Sequence, residues 1–402
     1  MSKAARAIWI GVGALAVAVG VAAVRGQDVR LTAPVIVPFE FVTNHIVVPV
    51  RVNGSRPLSF IFDTGDKDAI IDAARARELN LTAGRDVTVT GAGSGSLHAF
   101  GVSAARFTVD TLRGFSQPVV LAVPLDRLPP RLGHDVDGIL GTEFIDAFVV
   151  EIDYRQRRLV LHDRRTFLPP AGGTIVPLQF DAHAHPVVDG AVVYKGERFT
   201  GQFVVDLGSS SALVLHSPFV AAHPAPAGAQ TLVGSSGAAG ETHGLIGRVS
   251  ALKIGDFTLA DPPAVFASDA SGTFARADVL GTIGERAMSR FRIFLDYGRR
   301  QMVLEAVEPL DGLAAQASCG CAIHAEGPDY HTFRVDAIAE GSAAFAAGLQ
   351  AGDIIAAVDG RGAGEMTLSE LLPLFDVSVE RRLEIDRSGS RVTIALTPRR
   401  IP

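Results

Sequence analysis

Two aspartates carry the chemistry this sequence has to offer. Asp63 closes the apolar run Leu58-Ser59-Phe60-Ile61-Phe62 and precedes Thr64-Gly65. Asp206 closes Val204-Val205 and precedes Leu207-Gly208-Ser209, at an offset of 143 from the first (206 − 63). A single aspartate before a glycine is ordinary turn chemistry. Two of them, each at the end of an apolar strand and each before a glycine, can do more if the fold brings them together. Carboxyl groups a few ångströms apart do not both ionise easily, so they share a proton and titrate as a pair. Such a pair is base and acid at once. The ionised member takes a proton from water, while the protonated member hydrogen-bonds an oxygen on which charge develops.

The elements around the aspartates repeat with them. Asp153-Tyr154 is echoed by Asp296-Tyr297 at the same offset. Gly138-Ile139-Leu140-Gly141-Thr142 reads as the counterpart of Asp278-Val279-Leu280-Gly281-Thr282, at an offset of 140. Gly91 and Gly93 belong to a glycine-rich stretch, and Gly91 stands as far beyond Asp63 as Gly234, which opens Gly234-Ser235, stands beyond Asp206. A repeat of this kind predicts two lobes of one topology related by a pseudo-twofold axis. The local signals are β. Ile46–Val52 and Leu58–Phe62 are rich in β-branched and aromatic residues and flank the turn pair Asn53-Gly54. Arg158–Leu161 and Gln301–Leu304 read as matching strands closing each lobe. Ala69–Leu79 is the best helical stretch of the first lobe.

The paired Asp-x-Gly loops, the apolar-apolar-Gly elements and the glycine-rich segments resemble the aspartic peptidases of the retropepsin/pepsin clan, over roughly residues 35 to 306. The duplication in one chain followed by a further domain resembles a bacterial group of these enzymes. The resemblance implies a mainly β fold of two aspartic-protease lobes, with Asp63 and Asp206 as the catalytic dyad. Thr64, Gly65, Gly208 and Ser209 then support the loops, and Gly91, Gly93, Gly234 and Ser235 belong to flaps over the cleft. It implies hydrolysis of peptide bonds by an activated water, with no cofactor and no metal, and a peptide or protein substrate. Two positions depart from the clan's pattern. Leu207 stands where a Thr or Ser hydroxyl bonds across the lobes, which leaves Thr64 without a symmetric partner. Asp66 stands where a small or hydroxyl residue is usual; it either raises the apparent pKa values of the dyad or caps the segment that follows. A catalytically silent, peptide-binding relative is therefore the alternative to an aspartic endopeptidase. A serine-type reading fails for want of a Gly-x-Ser-x-Gly elbow.

The remainder of the 402 residues bounds location and partners. Nearly half the residues are apolar (48%) and the net charge is −6, so the chain is ordered, and no basic patch points to nucleic acid. Lys3 and Arg6 precede an unbroken apolar run, Ala7 to Val24, which reads as a signal peptide or an uncleaved membrane anchor within residues 1–26. Export to an extracytoplasmic, periplasmic compartment follows. The expected domains are lobe 1 (27–168), lobe 2 (169–306), a linker (307–321) and a C-terminal domain (322–402). Cys319 and Cys321 read as incidental thiols in the linker, and His183 and His185 as strand-entry residues rather than metal ligands. Because the duplication supplies both aspartates, a monomer is expected. Gly341-Ser342-Ala343-Ala344, Ala347-Gly348-Leu349, Gly352-Asp353-Ile354-Ile355 and Val358-Asp359-Gly360 resemble the α+β PDZ domains of bacterial envelope proteases. That resemblance implies a groove for peptide tails, placed between a helix opened by the capping box Thr367–Glu370 and an edge strand within Thr332–Ile338.

Overall fold

The computed structural model describes residues 8–10, 29–93 and 95–402. The N-terminal apolar run lies outside them apart from Ile8–Ile10, which pair in parallel with Val89–Gly91. Among the described residues no helix is long and apolar enough to cross a membrane.

The protein is mainly β, and its two lobes repeat one topology. In the first, His45–Val52 folds back on Leu58–Phe62 through Asn53-Gly54, whose φ angles of 49° and 78° are those the tight hairpin turn demands. Leu58–Phe62 then runs parallel to Gly138–Leu140, which is antiparallel to Ile70–Asp72, itself parallel to Leu121–Val123. In the second, Pro186–Tyr194 folds back on Glu197–Asp206 through Lys195-Gly196, with φ of 50° and 82°. Glu197–Asp206 runs parallel to Gly281–Gly284, which is antiparallel to Leu213–Leu215, itself parallel to Pro263–Ala267.

This register corrects the expected alignment of the apolar-apolar-Gly elements. Leu140 lies beside Phe62 and Ile283 beside Val205. The counterpart of Gly138–Thr142 is therefore Gly281–Glu285, at the same offset as the aspartates, and not Asp278–Thr282. Leu280 precedes the strand and bonds Gln202 O through its own N–H. Ala69–Leu79 also divides differently. Ile70–Asp72 is a strand, because its side chains are needed in the sheet, and the helix is only Ala73–Glu78. Asp72 caps it, accepting from the N–H groups of Ala74 and Arg75.

A six-stranded sheet joins the lobes, in the order Thr174–Pro177, Gln301–Ala306, Phe291–Asp296, Val149–Asp153, Arg158–His162, Val35–Pro38. Its middle pair crosses from lobe to lobe with Glu151 opposite Phe294. Those two positions are themselves separated by the offset of the repeat, so the pseudo-twofold axis passes between them. One apolar core runs through both lobes.

The C-terminal unit has its own core around Phe333, Val335, Ile355, Leu368, Leu383 and Leu396. Its sheet runs Cys321–Glu326, Thr332–Ile338, Ile354–Val358, Arg381–Arg387, Ser390–Leu396. Ser342 caps the short helix Ala343–Ala346, and Thr367 with Glu370 forms the expected capping box of Leu368–Leu371. The edge strand beside that helix is Cys321–Glu326. Thr332–Ile338 is interior, flanked on both sides. The composition hid this: Cys321-Ala322-Ile323 continues a small-residue stretch and does not look like the start of a strand.

Candidate active site

Each aspartate leaves the end of its strand on a loop held by its own backbone. Gly65 N–H donates to Asp63 Oδ1 at 2.6 Å, and Gly208 N–H to Asp206 Oδ1 at 2.9 Å. The loops meet across the lobe interface. A Cβ on Gly208 would overlap the Asp63 carboxyl, so only glycine allows the approach. Both side chains are buried, at 0% and 1% exposure. Burial pushes the Asp206 carboxyl well above the usual carboxylate range, and the adjacent charge of Asp63 and a hydrogen bond between the two carboxyls add to it. The direction of that shift favours the protonated form of Asp206.

The loops are braced from beneath and from the side. Gly141 packs without a Cβ on Lys67-Asp68, and Gly284 does the same on Ser209 O (a Cβ there would sit 2.6 Å away). Glu285 N–H donates to Ser209 O at 2.7 Å, and Ser209 N–H closes back on Asp206 O at 3.3 Å. Thr64 makes both cross-lobe bonds alone: its hydroxyl donates to Val205 O at 2.7 Å and accepts from Leu207 N–H at 2.9 Å. The Thr64 hydroxyl is therefore satisfied by the backbone of the opposite loop. The Leu207 side chain adds no bond of its own; it is fully buried in the core common to the lobes.

Asp66 is fully buried in the first loop, and its carbonyl accepts from Thr142 N–H at 2.8 Å. Asp72, not Asp66, caps the helix that follows. A third carboxyl under the dyad escaped the sequence reading. Glu285, 0% exposed, is pushed well above its usual value by burial and the nearby charge of Asp63, while the Tyr154 hydroxyl pulls the other way. The constant offset of the repeat, applied to Thr142, would have found it.

The two glycine-rich segments meet each other across the lobes. Gly95 N–H donates to Ala239 O at 2.9 Å and Ala239 N–H to Ala92 O at 3.2 Å. Gly93, at φ 114°, lies so near Gly240 that a Cβ would stand 2.5 Å from its carbonyl oxygen. Each tip buries an alanine in the other lobe: Ala92 among Val214, Ala267 and Phe274, and Ala238 among Val47, Ile61 and Val89. Of the expected flap residues, Gly91 and Gly93 sit at or next to this contact. Gly234 and Ser235 lie at the base of the second hairpin, where Ser235 accepts from Thr242 through both backbone and hydroxyl.

The histidine pair is held structurally. His185 Nδ1 lies 2.8 Å from Asp181 Oδ2, which also pairs with Arg276 at 2.7 Å. His45, at the matching strand entry, places Nδ1 3.0 Å from Thr43 O. Among the described residues no three His, Cys, Asp or Glu side chains cluster as metal ligands would.

Residues 48–144 and 190–284 match the family model described as aspartyl protease. Each of the two lobes carries one of these matches. The matched spans hold both aspartate loops and both apolar-apolar-Gly strands. No curated protein matches the chain. Between the two lobes and the C-terminal unit lies a cavity of about 1160 Å³, whose walls include Gly208–Ser211 on one side and Cys321–Ile323 with Leu372 and Pro373 on the other.

Proposed function

We propose that this protein is an aspartic endopeptidase in which Asp63 and Asp206 activate a water against the peptide carbonyl. The observation that carries the reading is the meeting of the two loops at Gly208, which seats the Asp63 carboxyl against the loop of a buried Asp206 held above its usual pKa. The ionised member draws a proton from the water, the protonated member hydrogen-bonds the carbonyl oxygen, and the proton passes to the departing amine as the tetrahedral centre collapses. Glycine-rich flaps that touch through backbone bonds and two alanines can part to admit an extended peptide.

In the same proposal the C-terminal unit is a PDZ-type domain. Cys321–Glu326 receives a peptide tail as an added strand, opposite the helix Leu368–Leu371. The chain is exported, soluble or held by residues 7–24, and acts as a monomer. Mass-spectrometric analysis of a random peptide library should reveal internal cleavage by the wild type, and a loss of several orders of magnitude for Asp63→Asn and Asp206→Asn. Equal cleavage by an Asn variant would remove the dyad. A wild type that binds library peptides without cutting them would make the protein the silent relative, a reading to which Leu207 lends its weight.

A further inference from the structure

The C-terminal unit does not stand apart from the cleft. Its edge strand and its capped helix both press on lobe 1. The helical turn Leu128–Leu132, closed by Gly133, inserts between them: a Cβ on Gly133 would stand 2.6 Å from Leu368 Cβ and 3.5 Å from Ala325 Cβ. Tyr330 hydroxyl donates to Asp135 Oδ1 at 3.0 Å, and Thr43 N–H to Ser369 Oγ at 2.9 Å. On lobe 2, Ala322 packs directly on Gly234 at the base of the second flap, and Arg286 pairs with Asp376 at 2.7 Å.

These contacts divide the groove. Its far half, at Ala325 and Leu368, is filled by lobe 1. Its near half, at Cys321–Ile323, Leu372 and Pro373, opens into the cavity that reaches the second aspartate loop. A peptide paired along the whole of Cys321–Glu326 needs the space that Gly133 occupies. Occupation by a tail and docking on lobe 1 are therefore mutually exclusive.

We propose that the turn 128–135 is the groove's internal occupant, and that a peptide ending in a free carboxylate displaces it and lifts the C-terminal unit from the mouth of the cleft. The inference rests on the PDZ-type reading of that unit. The groove's apparent affinity for tails is lowered by the docked fraction, and any change that undocks the turn restores it. Two properties of the turn suit a latch. Asp135 is exposed, so its bond to Tyr330 exchanges readily with water. Gly133, at φ 63°, has no room for a side chain in the docked position.

The test uses the full chain carrying Asp63→Asn, so that binding is read without cleavage. The probes are decapeptides randomised in their last four residues, with a free carboxylate or an amidated end. Gly133→Ala and the milder surface variant Asp135→Ala should each tighten binding of the free-carboxylate pool, the first by about ten-fold or more. Saturating peptide should raise amide hydrogen exchange across 128–135 in the parent chain. Peptides that bind parent and both variants equally, with unchanged exchange at the turn, would overturn the latch while leaving the tail-binding groove intact. If neither pool binds any of the three chains, the PDZ-type reading falls and the latch with it. Cleavage by the Asp63-containing protein, measured separately, bears on the dyad alone.

Discussion

At Leu207 the residue that breaks the clan's pattern turns out to be core. A hydroxyl there would return a bond to the first loop, worth about 1 kcal/mol. The leucine side chain is wholly buried among apolar neighbours, and Thr64 is already bonded to Val205 O and Leu207 N–H. Leu207→Thr loses roughly 1–3 kcal/mol of apolar burial and packing. The expected outcome is a lower melting temperature; a rise would mean that the missing return bond dominates. Asp206 makes the opposite kind of compromise. Its folded-state pKa is raised, so its contribution to stability is complete below the unfolded value near 3.9 and is lost as pH climbs toward the folded value, by up to about 1.4 kcal/mol per pH unit. Asn at 206 has no proton to lose. Asp206→Asn should therefore abolish cleavage, and its melting temperature relative to wild type should climb between pH 4 and pH 7. A difference that stays flat with pH would show that Asp206 is not held protonated. Asp63, Thr64 and Asp206 were legible because each sits in a short local pattern. Glu285 was not, because Leu280-Gly281-Thr282 copies Leu140-Gly141-Thr142 letter for letter, whereas the true partner Ile283-Gly284-Glu285 shares only its shape. Literal identity outweighed the constant offset, and strand register decided the matter.

Among the elements, the hairpins were plain in the sequence and the mixed segments were not. Asn53-Gly54 announces a turn whose two residues need positive φ. Ala69–Leu79 has helical composition, yet Ile70 and Ile71 are claimed by the sheet, where Ile70 lies beside Leu121 and Ile139. Tertiary pairing overrides propensity in a segment that short. The two glycine-rich segments are elements of the same kind: their composition is plain in the sequence, but only the fold shows that they touch. Gly93 is the point where that contact has no slack, with φ at 114° and the Gly240 backbone 2.5 Å from where a Cβ would be. Gly93→Ala should separate the tips and leave each lobe folded. Amide exchange at Ala239 and Gly95, whose N–H groups bridge the tips, should rise while exchange in Gly281–Gly284 stays protected. If the dyad reading holds, kcat/KM falls with it, since an open site does not exclude water. Unchanged protection at Ala239 would mean that the flap contact survives the added methyl.

The lobes and the C-terminal unit have separate main apolar clusters, so polar anchors add to the packing at Gly133 and Gly234 in holding the molecule together. The stretch read as a plain linker is one side of the main anchor. Arg248, on lobe 2 and 6% exposed, donates to Ile401 O at 2.9 Å, Leu313 O at 3.0 Å and Gln316 O at 2.6 Å, and also to Asp261 O. Its guanidinium thus ties the start of the C-terminal segment and the end of the chain to one point. Nothing in the local composition around Arg248 signals this, since its partners are backbone carbonyls, and all but Asp261 O are remote in sequence. Burial lowers its pKa, but the group stays charged across the physiological range, so removing it takes a charged donor from each of four carbonyls, of which Leu313 O and Gln316 O keep a backbone N–H partner. Arg248→Met keeps most of the apolar stem and deletes all four bonds, at a cost of a few kcal/mol that falls on docking and not on either core. Thermal unfolding followed by calorimetry should then separate into two transitions, one for the lobes and one for the C-terminal unit, with protease cutting between positions 307 and 321 at native temperature. A single transition, shifted down but undivided, would mean that the lobe contacts at Gly133 and Gly234 suffice to hold the unit in place. The same variant joins this anchor to the latch: if the docked position is held chiefly through Arg248, its loss uncovers the groove without touching any residue that lines it.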